Sequence, residues 1–274
     1  MELARGPLRK MRTEAEDTVR YTLPVGDQAL PLNERIGAYL RMEFNGEIDC
    51  IHCGRKIRKS FAQGYCFPCF RSLAECDSCI VKPEQCHFHL GTCRDEAWAQ
   101  AHCMQPHYIY LANSSGLKVG ITRGSQIPTR WMDQGAAQAL PVFRVRNRYH
   151  SGLVEVAFKS HVGDRTDWRR MLKGEPEPQD LPRRRDELYE HTRESLQQLA
   201  AGEREFAVET LPRYTVREFH YPVLEYPAKV ASRNFDKTPV VEGTLQGIKG
   251  QYLLFDTGVL NIRKFGGYSV LVSD

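Results

Sequence analysis

Long apolar runs are missing from this 274-residue sequence. No stretch approaches the roughly 20 residues that a membrane-spanning helix needs. The opening MELARGPLRKM carries charge without the apolar centre of a secretory signal. Both absences exclude a membrane partner and give the expectation of a cytoplasmic protein. Charge of one sign is also scarce: 38 Lys and Arg against 34 Asp and Glu leave +4. That permits an anionic partner without demanding one. Low-complexity segments are absent, as are internal repeats beyond paired cysteines. Cysteine is absent before residue 50 and after residue 103. A disulfide framework would spread over a small secreted chain, so this clustering argues for metal instead.

What is present begins with those nine cysteines. Cys50-x2-Cys53 is followed after a 12-residue gap by Cys66-x2-Cys69. Two such knuckles present four thiolates that can close a tetrahedron on Zn2+. Lys56, Arg58 and Lys59 in the linker would balance the thiolate charge or touch phosphate. A second group holds Cys76, Cys79, Cys86 and Cys93, expected to form a second zinc site. His87 or His89 could replace one sulfur there, and four cysteines could instead hold an iron–sulfur cluster. Cys103 is left over and reads as a core thiol. Both groups are thiolate-rich and closed, so both read as structural rather than catalytic zinc.

Along the chain, periodicity gives an α+β protein. Residues 1–49 contain strands at 17–22 and 38–49. Residues 50–104 form the double zinc-binding, Cys-rich segment, which metal rather than a core must hold. Residues 105–204 form a central α/β domain. It has a hairpin at 107–112 and 117–122, a helix from Ser125, and a strand over 141–148. Helices follow from Ser151 to Val162 and from Arg183 to Ala201. Residues 205–274 form a small barrel-like β-sheet, punctuated by glycine and joined by the N-terminal strands.

The hairpin carries the most chemistry. Tyr108 and Tyr110 share one strand face, and Lys118 and Gly120 share one face of the next. Gly120 would let a backbone or a phosphate come close. Arg123 and Arg130 follow. Arg144, Arg146 and Arg148 alternate in VFRVRNR and would stripe one strand face with positive charge. Tyrosines, a lysine and arginines are a suitable wall for a nucleic-acid backbone. Each also has an ordinary reading. Glu155 with Lys159 makes a favourable i,i+4 helix pair. Arg130 could be a surface arginine beside the core anchor Trp131. The arginine stripe could be a solvated face.

Tyr108-Ile109-Tyr110, then Val119-Gly120, Arg130-Trp131, Glu155 and the trailing Asp167-Trp168 together resemble the GIY-YIG nuclease superfamily over about 107–172. More widely, CHFHLGTCR, LKVGIT, RWMDQGA and GIKGQYLLFDTGVLNIRK resemble the uncharacterised bacterial domain-of-unknown-function family 2797. That wider resemblance implies almost nothing about activity. The GIY-YIG resemblance implies a small mixed sheet flanked by helices and metal-dependent hydrolysis of one phosphodiester bond in DNA or RNA. Glu155 would be the protein ligand of Mg2+ or Mn2+. Arg130 would clamp the scissile phosphate, and Tyr110 would position or deprotonate water. The chain departs from the pattern at Tyr108, where the family has glycine, and at Lys118, where it has tyrosine. No asparagine follows Glu155 to complete the metal shell. Lys118 would serve as the base only with a depressed pKa. Three readings follow: a GIY-YIG-like endonuclease, a zinc-containing nucleic-acid-binding protein that does not cut, and an interaction scaffold.

Overall fold

Most elements grow from the alternation and punctuation of the sequence. The computed structural model describes every residue except Ser160, Asp164 and Arg204. The strands are β1 (Glu2–Pro7), β2 (Arg12–Glu14), β3 (Arg20–Val25), β4 (Gln28–Pro31), β5 (Tyr39–Asp49), β6 (Lys56–Ile57), β7 (His107–Asn113), β8 (Leu117–Arg123), β9 (Gln138–Val145), β10 (Val208–Thr210), β11 (Arg217–Glu218), β12 (Val240–Lys249), β13 (Tyr252–Phe255), β14 (Gly258–Asn261) and β15 (Tyr268–Ser273). The helices are α1 (Phe67–Ser72), α2 (Glu96–His102), α3 (Thr129–Asp133), α4 (Arg148–Lys159), α5 (Trp168–Met171) and α6 (Leu181–Gly202).

Three sheets result. One has seven strands in the order β1-β15-β5-β12-β13-β14, with β6 paired to β5. It therefore mixes strands from the two ends of the chain. The second runs β10-β9-β7-β8, with β11 also on β9, and the third is β2-β3-β4. The central sheet is antiparallel throughout its described ladders, not mixed as the GIY-YIG resemblance implies. The cause is connectivity. A tight turn between Asn113 and Leu117 sends β8 back along β7, and the chain then returns through α3 to lay β9 on β7's other edge.

β7 divides two cores. Ile109 and Leu111 face Leu140, Val142, and Val154 and Phe158 of α4. Tyr110 and Ala112 face Trp131 and Met132 of α3, in a cluster that runs on into the seven-stranded sheet. Burying each large apolar side chain contributes about 1.5–3 kcal/mol, so this two-sided burial fixes the register of the sheet.

Two helices start elsewhere than expected. The helix expected from Ser125 is a single 3-10 turn over Gly124–Gln126, followed by extended backbone at Ile127 and then α3. A residue preceding proline is pushed out of helical conformation, and Ile127 precedes Pro128. The helix expected from Ser151 begins at Arg148, because the Asn147 side chain accepts the His150 N–H at 2.9 Å and caps it. The expected span of that helix, 151–162, includes Ser160, which lies outside the described residues, as does Arg204 at the expected end of the central domain. In α6, Asp180 caps the Arg183 N–H at 3.0 Å.

The Cys-rich segment is seated on α4 by a missing side chain. A Cβ on Gly152 would come 2.4 Å from the Glu84 backbone nitrogen and 2.7 Å from Pro83. Only glycine lets the Pro83–Gln85 turn lie this close to the helix. No described helix is long and apolar enough to cross a membrane.

Candidate functional site

The first four cysteines form a metal centre. The sulfurs of Cys50, Cys53, Cys66 and Cys69 all lie within 4.8 Å of one another. A tetrahedral zinc with Zn–S bonds of about 2.3 Å requires sulfur–sulfur edges of about 3.8 Å. The Cys53–Cys66 separation is 3.8 Å. Burial opposes ionisation of Cys50, but N–H groups of Cys53, Cys66 and His52 outweigh it and bring its thiol down to about 6. Cys66 also caps α1, accepting the Cys69 N–H at 3.4 Å. The site is positioned to bind a metal ion, and its donor set is consistent with zinc.

The second group is arranged differently. Cys79 and Cys86 are neighbours, and each shifts the other's thiol, raising that of Cys79 and lowering that of Cys86. Cys76 lies instead among Glu75, Arg94 and Cys50. Cys93 points its thiol at the Asp95 carbonyl, 3.5 Å away. Among the described residues, the four sulfurs of Cys76, Cys79, Cys86 and Cys93 are not gathered as the first four are. His89 stacks against Tyr149 at 5.8 Å. Cys103 is buried, and burial pushes its thiol up.

A cleft of about 500 Å3 opens at the β8 edge of the central sheet. Tyr110, Lys118, Arg123, Arg130, Arg148 and Glu155 all line it. Arg130 comes from α3 on one face of the sheet and Glu155 from α4 on the other. Both charges are felt by Tyr110. The Tyr110 hydroxyl donates to Gln134 Oε1 at 2.9 Å. Lys118 Nζ donates to the same oxygen at 2.8 Å and to Thr166 Oγ1 at 2.7 Å. A Cβ on Gly120 would meet the Tyr110 hydroxyl at 2.6 Å. Gly120 thus makes room for this tyrosine rather than for a phosphate.

The charge in the cleft is one-sided. Lys118, Arg123, Arg130, Arg148 and Arg263 line it, with Glu155 the one carboxylate among its described residues. Partial burial lowers the pKa of Arg148, and the nearby Arg130 lowers it further; Arg263 joins them from a more exposed position. The Nε of Arg148 is buried without a hydrogen-bond partner. One terminal nitrogen of Arg148 donates to the Ile80 carbonyl. Cations crowded in one cleft are relieved by a bound anion. At the rim, Trp98 and His102 stack at 4.3 Å and 8°.

The expected arginine stripe is broken. Arg144 pairs with Glu209 at 2.9 Å and Arg146 with Glu205, both beside β9 on its outer edge. Arg148 is in α4, not in the strand, because Asn147 ends the extended run and starts the helix. One residue escaped the sequence reading. Gln134 couples Tyr110 to Lys118, and its only signal is its place four residues after Arg130. Arg263, which with Lys249 and Lys264 could be read from sequence as a nucleic-acid contact or plain scaffold, reaches the cleft from the turn after β14. A second cavity of about 410 Å3, between α6 and β10, is lined by Phe143, Leu196, Phe206 and Val208. It gathers none of the expected site residues.

Fold and site together define an α+β protein with a four-cysteine cluster positioned to bind a metal ion and a cationic cleft. The chain belongs to the family described as protein of unknown function (DUF2797), whose model matches residues 37–270. No curated protein and no solved structure matches it.

Proposed function

We propose that the cleft binds the phosphodiester backbone of a nucleic acid and hydrolyses it with a divalent cation held at Glu155. The observation that carries this reading is the shared cleft: Tyr110, Lys118, Arg130 and Glu155 line it together with Arg123, Arg148 and Arg263. Five cations suit a polyanion better than a small neutral substrate. The rim aromatics, Trp98 and His102, offer a surface on which a base can stack. The resemblance to the GIY-YIG superfamily supports the same roles.

Mg2+ or Mn2+ fits the donor set, since a lone carboxylate in an open cleft leaves room for the waters such an ion keeps. When bound, the ion would supply Lewis-acid stabilisation of charge on the leaving oxygen. Arg130 and Arg148 hold non-bridging phosphate oxygens and turn the phosphorus toward an attacking water. The water oxygen bonds to phosphorus as the ester P–O bond breaks; the water gives up a proton to solvent, and the leaving ester oxygen takes one up from solvent to depart as a hydroxyl. Gln134 fixes the hydroxyl of Tyr110 and the amine of Lys118 at the wall. Lys118 adds positive charge where negative charge develops.

One observation favours a second reading, binding without cleavage. Burial raises the Tyr110 pKa, and Tyr110 and Lys118 both spend a proton on Gln134. Neither is poised as a base.

The test is incubation of the purified protein with DNA and RNA, single- and double-stranded, with Mg2+ or Mn2+, beside Glu155→Ala. Hydrolysis is expected in the wild type, with a loss of about 100-fold or more in the variant. Tight binding with no product from either protein selects the second reading. No retention of any nucleic acid at low salt overturns both.

A further inference from the structure

A second cluster of metal-ligating side chains lies on the turns between the first cysteine group and the cleft. A carboxylate oxygen of Asp77, the sulfur of Cys79 and a ring nitrogen of His87 lie within 4.8 Å of one another. They supply oxygen, sulfur and nitrogen, and the Cys86 thiol adjoins Cys79. Asp77 and Cys79 are two residues apart on tight turns, and His87 returns to them after the Pro83–Gln85 turn.

The His87 ring is held by the Thr92 hydroxyl, 2.8 Å from Nδ1. That leaves Nε2 turned toward the cluster, 3.6 Å from Asp77 Oδ2. A hydroxyl on one ring nitrogen, with the other turned to the ligand group, is an arrangement that orients metal-bound histidines. Asp77 is steadied in turn by Arg94 Nε at 2.7 Å. Arg94 also donates to the Phe70 and Leu73 carbonyls, at 3.2 and 3.1 Å, at the end of α1. It thereby ties this cluster to the first.

We propose that Asp77, Cys79 and His87 bind a second metal ion of the zinc class. This set differs from the four sulfurs, with His87 or His89 in place of one, expected from the sequence, and it does not depend on the nuclease reading. The ion braces the Ser78–Ile80 turn, whose Ile80 carbonyl holds Arg148 in the cleft.

Zinc is counted by elemental analysis in the purified full chain, in Asp77→Ala/His87→Ala and in Cys50→Ser/Cys53→Ser. The expected result is two ions per wild-type chain and the loss of one in each double variant, from different sites. One ion in the wild type, or two retained in Asp77→Ala/His87→Ala, overturns the proposal. If that variant fails to fold, zinc-edge X-ray absorption of the wild type decides. The two centres together give a shell of mostly sulfur with a distinct nitrogen and oxygen share from the second. An all-sulfur shell contradicts it, as would an imidazolium–carboxylate pair with no second ion.

Discussion

The Cys-rich segment and the sheet beside it are neighbours built on opposite physics. From Cys50 to Cys103 the buried apolar residues are Ala74, Pro83, Ala99 and three cysteines, while Phe67, Val81 and Leu90 are exposed. Its elements are 3-10 turns, the two-residue β6 and two helices of 6 and 7 residues. Such pieces do not hold themselves together by burial. The β7–β9 sheet, in contrast, is packed on both faces, with Trp131, Phe143 and Phe158 all at 1 % exposure or less. Burial makes one region a rigid wall, and the other is thin. The cleft opens where the two meet: its five cations come from the sheet, α3, α4 and the turn after β14, while the Cys-rich segment supplies Ile80, Val81, Pro83, Trp98 and His102.

Removing metal should separate the two regions most sharply. Structural zinc in small peptides is worth about 10–16 kcal/mol. Chelation, or Cys50→Ser with Cys53→Ser, should therefore strip hydrogen-exchange protection from residues 50–103 while β7 and β9 keep theirs. Uniform loss across both would merge them into one cooperative unit. A smaller effect is expected at the seam. Gly152→Ala forces a Cβ into backbone at 2.4 Å, and should cost about 2 kcal/mol in thermal or denaturant unfolding. An unchanged melt would mean that the Pro83 turn yields freely.

The smallest effect is one of pH, and it belongs to the sheet. Burial holds His107 neutral and brings its pKa down to about 4. An unfolded histidine titrates near 6.5 and so binds more protons than the folded one between these values. Stability is full above about 6.5 and is lost as pH falls toward 4, by about 1 kcal/mol between pH 7 and 5.5. Comparing His107→Gln with the wild type across that range isolates it; parallel curves would contradict the assignment.

Much of this was legible in the sequence, for reasons that differ by element. The first four cysteines were readable because ligand spacing is local. β7 and β8 were readable because their faces differ in polarity and a polar turn joins them. Arg148 was misplaced because one residue, Asn147, decides between strand and helix, and capping outweighed the alternation of arginines. The second cysteine group was read as four sulfurs with a histidine able to replace one; the participation of Asp77 beside Cys79 and His87 had no trace in the sequence, because turn directions leave no periodic signal. Gly120 was read as an opening for phosphate, and its real neighbour is Tyr110 on the paired strand. Arg263 joins the cleft from more than a hundred residues away, and only tertiary packing brings it there.

The claim that this cleft is built for a phosphodiester backbone is tested most directly by salt. Binding of DNA and RNA oligonucleotides is measured from low to moderate salt for the wild type and for Arg130→Ala/Arg148→Ala. Each phosphate contact adds about 0.7–0.9 to the slope of log affinity against log salt. Loss of both arginines should lower the slope by about 1.5 and weaken binding for every sequence alike. An unchanged slope, or affinity that does not fall with salt in either protein, would contradict it.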